Sequence, residues 1–246
     1  IIAEYTAMKK ADHIFEPSAG NGLLLIGADP KKVHANEIDK TRLENLRYQN
    51  FHTVTHRNAT EPFSDELTKK FDVVITNPPF SKWVGTAKEK RNIITNYFHV
   101  GMNSTLARSL RLEHVMCSLA LHTMKDSGRA ALIIMGHIVF DHEGFISKYR
   151  PFFNWLYRNY LVDDIINLNS FKLYNKQGTI ERTMLILIGG RKTEPSGYAP
   201  KKDDVPHLDS MVSTFGELWE RVSDHILSQI DLLIKQMKIE LANEII

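Results

Sequence analysis

Seven short runs rich in β-branched and apolar residues recur along the first 190 residues, with helical stretches between them. The predicted strands are Asp12–Phe15, Val33–Asn36, Thr53–His56, Phe71–Thr76, Ala130–Met135, Ile165–Asn169 and Thr183–Ile188. Several are apolar at nearly every position, which is the pattern of strands covered on both faces. Helices are predicted over Gly22–Ala28, Lys40–Tyr48, Leu106–Met124 and Phe145–Tyr160. Such alternation constrains the chain to an α/β fold with a mostly parallel seven-stranded sheet and helices on both faces. No helix separates the last two strands, which predicts an antiparallel hairpin at the sheet edge.

With 246 residues, 43% of them apolar, the chain can bury a substantial core. Residues 1–190 read as one domain, 191–208 as a linker and 209–246 as a C-terminal amphipathic helix. The linker region holds three prolines and three glycines between Gly189 and His207, with the charged run Lys201-Lys202-Asp203-Asp204. Beyond it Phe215, Leu218, Val222, Ile226, Ile230, Leu233, Met237 and Leu241 recur at helical spacing. This helical pattern runs to Ile246 and is read as truncated.

A single cysteine, Cys117, cannot form an internal disulfide or a cysteine-rich zinc site, and predicts a reducing, cytoplasmic setting. It falls in an apolar helical stretch and is expected to be buried and inert. No apolar run reaches membrane-spanning length. His52 and His56 share one strand face, but no carboxylate cluster completes a site, so no metal is expected. The net charge of +2 is too small to announce a nucleic-acid partner, and any such partner must be read from local clustering.

Two motifs stand out. Residues 15 to 22 read Phe-Glu-Pro-Ser-Ala-Gly-Asn-Gly after a predicted strand. Small residues at Ser18, Ala19, Gly20 and Gly22 let the backbone approach a ligand, which would meet free N–H groups at a helix start. The next strand ends in Glu37-Ile38-Asp39, seventeen residues after Gly20, where an acid can accept hydrogen bonds from ribose hydroxyls. The dinucleotide pattern G-x-G-x-x-G fails at its third glycine, which is Leu25 here, and that weakens a nicotinamide assignment.

The second motif is Asn77-Pro78-Pro79-Phe80, directly after the strand Phe71–Thr76. Two prolines fix φ and remove two N–H donors, which makes a rigid loop. The Asn77 side-chain oxygen and the Pro78 carbonyl can each accept one hydrogen of a planar amino group. Phe80 can stack on the attached ring.

Together, Glu16–Gly22, Glu37-Ile38-Asp39 and Asn77–Phe80 resemble the N6-adenine DNA methyltransferases that use S-adenosylmethionine, in the order where the cofactor motif precedes the catalytic one. Similar members occur in restriction-modification systems and in helicase-associated proteins of phages and mobile elements. The resemblance covers about residues 10 to 190 and implies a Rossmann-like methyltransferase fold. It implies that Glu16 and the turn Pro17, Ser18, Ala19, Gly20 and Gly22 hold the methionine part of the cofactor. Glu37 would bind the ribose and Ile38 would pack on the adenine. Asn58, followed by Ala59, stands where the family often has an aspartate that accepts from the cofactor's adenine amino group. Asn77, Pro78, Pro79 and Phe80 match the catalytic tetrapeptide. Phe171 and Tyr174 are both candidates for a second aromatic that clamps the target base, before the pair Gly178-Thr179. The resemblance also implies a bacterial or phage origin, DNA as partner and an upstream cofactor contact near a Thr-Pro pair that this chain lacks. The chain is accordingly read as part of a larger protein.

Residues 82 to 111 add Lys82, Lys88, Lys90, Arg91, Arg108 and Arg111 against one acid, Glu89, as expected for phosphate contacts. The stretch Phe145–Tyr160 is aromatic-rich and basic, and reads as a helix packed on the sheet. Two other assignments keep the same motifs. One is a methyltransferase acting on RNA or on a protein glutamine through the same chemistry. The other is a non-catalytic module that binds cofactor or DNA within a larger assembly.

Overall fold

The computed structural model describes residues 1–173 and 182–244. One sheet contains β1 (Ile14–Glu16), β2 (Val33–Asn36), β3 (Thr53–Thr55), β4 (Phe71–Thr76), β5 (Met124–Met135), β6 (Tyr160–Leu168), β7 (Thr183–Arg191) and β8 (Met211–Val212). Their order across the sheet is β3-β2-β1-β4-β5-β7-β6-β8. β7 runs antiparallel to both β5 and β6, and the other described pairings are parallel. The predicted hairpin lies at this side of the sheet. The strand count is eight rather than seven. β8 pairs along the outer side of β6, and its two residues are too few to show an alternating pattern.

The apolar runs are buried on both faces because successive side chains enter different cores. Val74, Leu132, Ile134 and Ile186 pack into one. Val73, Ile75, Ala131, Ile133, Leu185 and Leu187 pack into the other. Helices α5 (Leu112–His122) and α6 (Arg150–Asn159) cover the first core. Helices α1 (Ile2–Tyr5), α2 (Lys40–Arg47) and α8 (Phe215–Glu244) cover the second. Full burial of one such aliphatic or aromatic side chain is worth roughly 1.5–3 kcal/mol, so both faces need their helices.

Three predicted helices are shorter than expected. Only one 3-10 turn, Leu23–Leu25, stands in place of Gly22–Ala28. Gly22 is left-handed there, with φ +80°, and Pro30 follows closely and disfavours helix before it. The stretch Leu106–Met124 splits into α4 (Thr105–Ser109) and α5, because Leu110 and Arg111 are extended. Residues Met124 onward already belong to β5. The stretch Phe145–Tyr160 becomes helical only from Arg150, where Pro151 fits the first turn. Its Phe152, Phe153 and Trp155 are buried on the sheet, and Cys117 is buried as well. Two further described helices are α3 (Ala87–Asn96) and α7 (Ser170–Leu173), and α7 is a single turn between β6 and β7, where no helix was predicted.

Residues 191–208, predicted as a linker, lie against the rest of the fold. Leu208 is 1% exposed, its carbonyl accepts from Asn167, and Ala199 N–H donates to Asn154. α8 is fastened to the middle of β6. Arg221 donates to both oxygens of Asp164, at 2.7 and 2.8 Å, and His225 lies 3.1 Å from the same carboxylate. Asp163 accepts from Tyr5 Oη and from Gln229, which brings α1 to the same place. Among the described residues no helix is long and apolar enough to cross a membrane.

β1 and β4 are neighbours, but the chain leaves β1 toward β2 on one side and β4 toward β5 on the other. The loops beyond their C-terminal ends therefore diverge. In open α/β sheets a crevice for ligands forms at such a point.

Candidate active site

The turn after β1 is shaped by partners from the next strand. Asn36 donates through Nδ2 to the Pro17 carbonyl at 2.9 Å and to the Arg57 carbonyl at 2.9 Å. Its Oδ1 accepts from Thr55 Oγ1 and from Arg57 N–H. Ala19 N–H donates to Asn36 O, Gly20 N–H to Glu37 Oε2 at 2.7 Å, and Gly22 N–H to Ala19 O. Ser18 N–H reaches Glu16 Oε1 at 3.3 Å. These four amides are thus engaged within the protein, and no α-helix starts behind them. The predicted cradle of free N–H groups is replaced by a braced wall. At Gly22 a Cβ would come within 2.7 Å of the Gln49 side chain and 3.3 Å of Leu46, so the close approach it permits is to the end of α2 and the residues just after it.

Glu37 is 5% exposed and also accepts from Asp39 N–H, at 2.8 Å. Asp39 caps α2 by accepting from Arg42 N–H. Ile38 points out, 61% exposed. The Oδ1 of Asn58 accepts from both the N–H and the hydroxyl of Thr60, so its one accepting oxygen already holds a local turn. Ala59 is buried beside it.

Glu16 is 1% exposed, and its Oε2 has no partner among the described residues. Burial pushes its carboxyl up to about 8, and the nearby Glu37 carboxylate adds to the rise.

β4 delivers the second motif. Thr76 is buried, Asn77 exposed, Pro78 buried and Pro79 exposed. Among the described residues the Asn77 side chain has no hydrogen-bond partner, so its carbonyl oxygen is available. Phe80 is only partly exposed and packs against the second core, outside the cleft wall. The loop is held from α5. Leu112 N–H donates to Ser81 O, Ser81 N–H reaches Glu113 Oε2 at 3.4 Å, and Lys82 bridges to Arg111. Glu113 is fully buried and paired with Arg111 Nε at 2.7 Å. Arg111 thus belongs to this brace rather than to a free basic surface.

These elements enclose one cleft of about 730 Å³. Glu16, Pro17, Ser18, Ala19, Gly20, Glu37, Ile38, Asn58, Ala59, Asn77 and Pro79 all line it. Gly22, Pro78, Phe80, Lys82, Lys88 and Phe171 do not. Lys82 and Lys88 are exposed on the loop and on α3, and Phe171 is 66% exposed on α7. Tyr174, Gly178 and Thr179 lie outside the described residues. Sequence reasoning missed Asn36, Thr76 and Glu113. Glu113 had one signal, a single acid inside the apolar run Leu112–Leu121.

Residues 10–174 match the family model for the Eco57I restriction-modification methylases. The chain belongs to the Eco57I restriction-modification methylase family. No curated protein matches this family member in sequence. Among solved structures, the methyltransferase subunit of a type I restriction-modification system from Streptococcus thermophilus is similar, with TM-score 0.57 and 16% identity over 78% of this chain and 44% of that one. A Listeria monocytogenes protein assigned to the class I S-adenosylmethionine-dependent methyltransferases has TM-score 0.57 and 17% identity, covering 93% and 66%. The type IIG restriction endonuclease BpuSI has TM-score 0.54 and 18% identity, covering 78% and 24%. At these identities the likeness establishes a shared fold. The chain spans less than half of the Streptococcus subunit and about a quarter of BpuSI.

Proposed function

We propose that this domain transfers a methyl group from S-adenosylmethionine to the exocyclic N6 amino group of adenine in DNA, with the base turned out of the stack. The observation that carries this is the single cleft in which the Glu16–Gly20 turn, Glu37 and Asn77 share one wall. Its residues fit the cofactor. Carboxylates at Glu37 and Asp39 suit ribose hydroxyls, exposed Ile38 suits an adenine face, and the unpartnered oxygen of Glu16 suits a cationic group. When bound, S-adenosylmethionine supplies an electrophilic methyl on a sulfonium.

The chain's own residues do the rest. An adenine amino group is a weak nucleophile because its lone pair is delocalised into the ring. Asn77 Oδ1 and Pro78 O accept its two hydrogens, favour a pyramidal nitrogen and stabilise the positive charge that develops there, which is discharged when the methylated nitrogen releases one proton to water. The rigid proline pair holds both acceptors in place before reaction. A duplex hides the amino group, so the base must leave the stack. Lys82, Lys88, Arg91 and Arg108 are exposed near this loop and make no ion pair among the described residues, which leaves them for phosphates.

The test is incubation with labelled cofactor and DNA, RNA or protein acceptors, followed by digestion of the product. Label in N6-methyladenine from DNA supports the proposal. Label in RNA, in protein glutamine or in another DNA base would assign a different acceptor. No label anywhere, with cofactor still bound, would mark a binding module.

A further inference from the structure

Glu16, which suits a cationic group of the cofactor, also carries a proton that the methyl-transfer scheme above does not use. It ends β1 at the floor of the cleft, 1% exposed, with one oxygen held by Ser18 N–H and the other unpartnered. Among the described residues, the groups around it supply no positive charge. From the end of β2 the Glu37 carboxylate faces it. The Thr76 hydroxyl of β4 and the Ser18 hydroxyl and N–H of the turn lie beside it and hold its pKa down, but by less than burial raises it. From α5 the Cys117 thiol lies near both Glu16 and Glu113. Arg42 and Arg57 line the same cleft, but among the described residues no cation contributes to the shift of this carboxyl. A buried carboxyl with acidic neighbours and no cationic partner is most stable protonated.

We propose that Glu16 is protonated in the free cleft and ionises when S-adenosylmethionine is seated, so that the sulfonium cofactor binds with expulsion of a proton. The inference rests on the cleft being the cofactor site. The balance is simple: the carboxylic acid becomes a carboxylate, the proton passes to buffer, and the ligand's positive charge gains a partner. S-Adenosylmethionine carries a net charge of one unit because its sulfonium adds to a zwitterionic amino acid. The demethylated product, S-adenosylhomocysteine, has a neutral sulfur and no net charge, so it drives less ionisation. Glu16 then discriminates cofactor from product by charge, and re-protonation after transfer favours product release. The carboxyl's upward displacement to about 8 places this exchange in the neutral range.

Calorimetry of each ligand at about pH 6.5, in two buffers of different ionisation enthalpy, tests it. The expected result is release of nearly one proton with S-adenosylmethionine and clearly less with the product. Glu16→Gln, which mimics the neutral acid, should bind cofactor with no proton exchange and with a reduced preference for cofactor over product. Equal heats in the two buffers, or the same proton count for cofactor and product, would overturn the inference while leaving the cofactor site intact. Failure of both ligands to bind the parent protein would overturn the cofactor site itself, and this inference with it.

Discussion

The hydroxyl of Ser18 lies 2.8 Å from the hydroxyl of Thr76. One belongs to the turn after β1, the other to the last residue of β4, next to Asn77. The bond ties the wall proposed for the cofactor to the loop proposed for catalysis. In the proposed reaction, the spacing between donor and acceptor would therefore follow the pairing of β1 with β4.

Asn77→Ala is expected to abolish methyl transfer while changing cofactor affinity by no more than a few-fold. Asn77 is exposed and its side chain makes no hydrogen bond among the described residues, so its truncation removes no hydrogen bond of the fold. Single-turnover assays with binding titrations on both proteins check this. Parent-like activity in the variant would remove Asn77 from the chemistry.

Glu37→Ala should weaken cofactor binding by roughly 1–3 kcal/mol, the scale for losing charge-assisted hydrogen bonds. Three losses combine: the acceptor offered to the ligand, the bond from Gly20 N–H that shapes the turn and the bond from Asp39 N–H. Titration calorimetry decides, and an unchanged affinity would mean that the ligand is held elsewhere.

Glu113→Ala should release the loop from α5 and leave Arg111 without its partner. The cost in stability is expected to be at most about 3 kcal/mol, because Arg111 keeps some access to water. Turnover should fall more than cofactor affinity, since the Ser81 contact sits on the acceptor side. Glu113→Gln retains hydrogen-bonding atoms and should recover part of both. Thermal melts and initial-rate kinetics measure the two effects, and parent-like turnover in Glu113→Ala would dismiss the brace.

The fastening of α8 should depend on pH. The hydrogen bond to Asp164 raises the His225 pKa above its usual 6.5, despite partial burial. That contribution is complete below about pH 6.5 and is lost as pH rises through the raised value. Burial pushes Asp164 up, but the bonds from His225 and Arg221 outweigh it and hold the carboxyl at about 2. Its contribution is present above its ordinary 3.8 and is lost as pH falls toward 2. Melting temperatures of parent and His225→Gln should therefore differ most between about pH 4 and 6.5 and converge on the alkaline side. A gap that stays constant to about pH 9 would show that His225 is not charged in the fold.

The strands were readable because burial on both faces leaves nearly unbroken apolar runs, as in Phe71–Thr76 and Ala130–Met135. The helix breaks were not, because their causes lie far away in sequence. Leu110 and Arg111 leave the helix where Ser81 and Lys82 pair with this segment, and nothing local marks that. The motifs placed Glu16–Gly20, Glu37, Asn58 and Asn77, and these meet in one cleft. The same motifs put Phe80 beside the substrate, whereas its ring is half taken up by the core. Asn36 escaped notice because a lone polar residue at a strand end looks ordinary until Pro17 and Arg57 appear on either side of it. The packing of residues 191–208 was hidden by their prolines and charges, although Val205 and Leu208 supply the apolar contacts.

The parting of the chain between β1 and β4 makes the hollow a property of strand order. No particular side chain has to create it, so substitution can proceed almost everywhere without erasing it. The Streptococcus subunit, with 16% of aligned positions identical, still superposes on the same architecture. Natural variation in such a domain is then free to refurnish a small set of wall positions. Changes of partner or of ligand can arise there one residue at a time, with the hollow itself inherited intact.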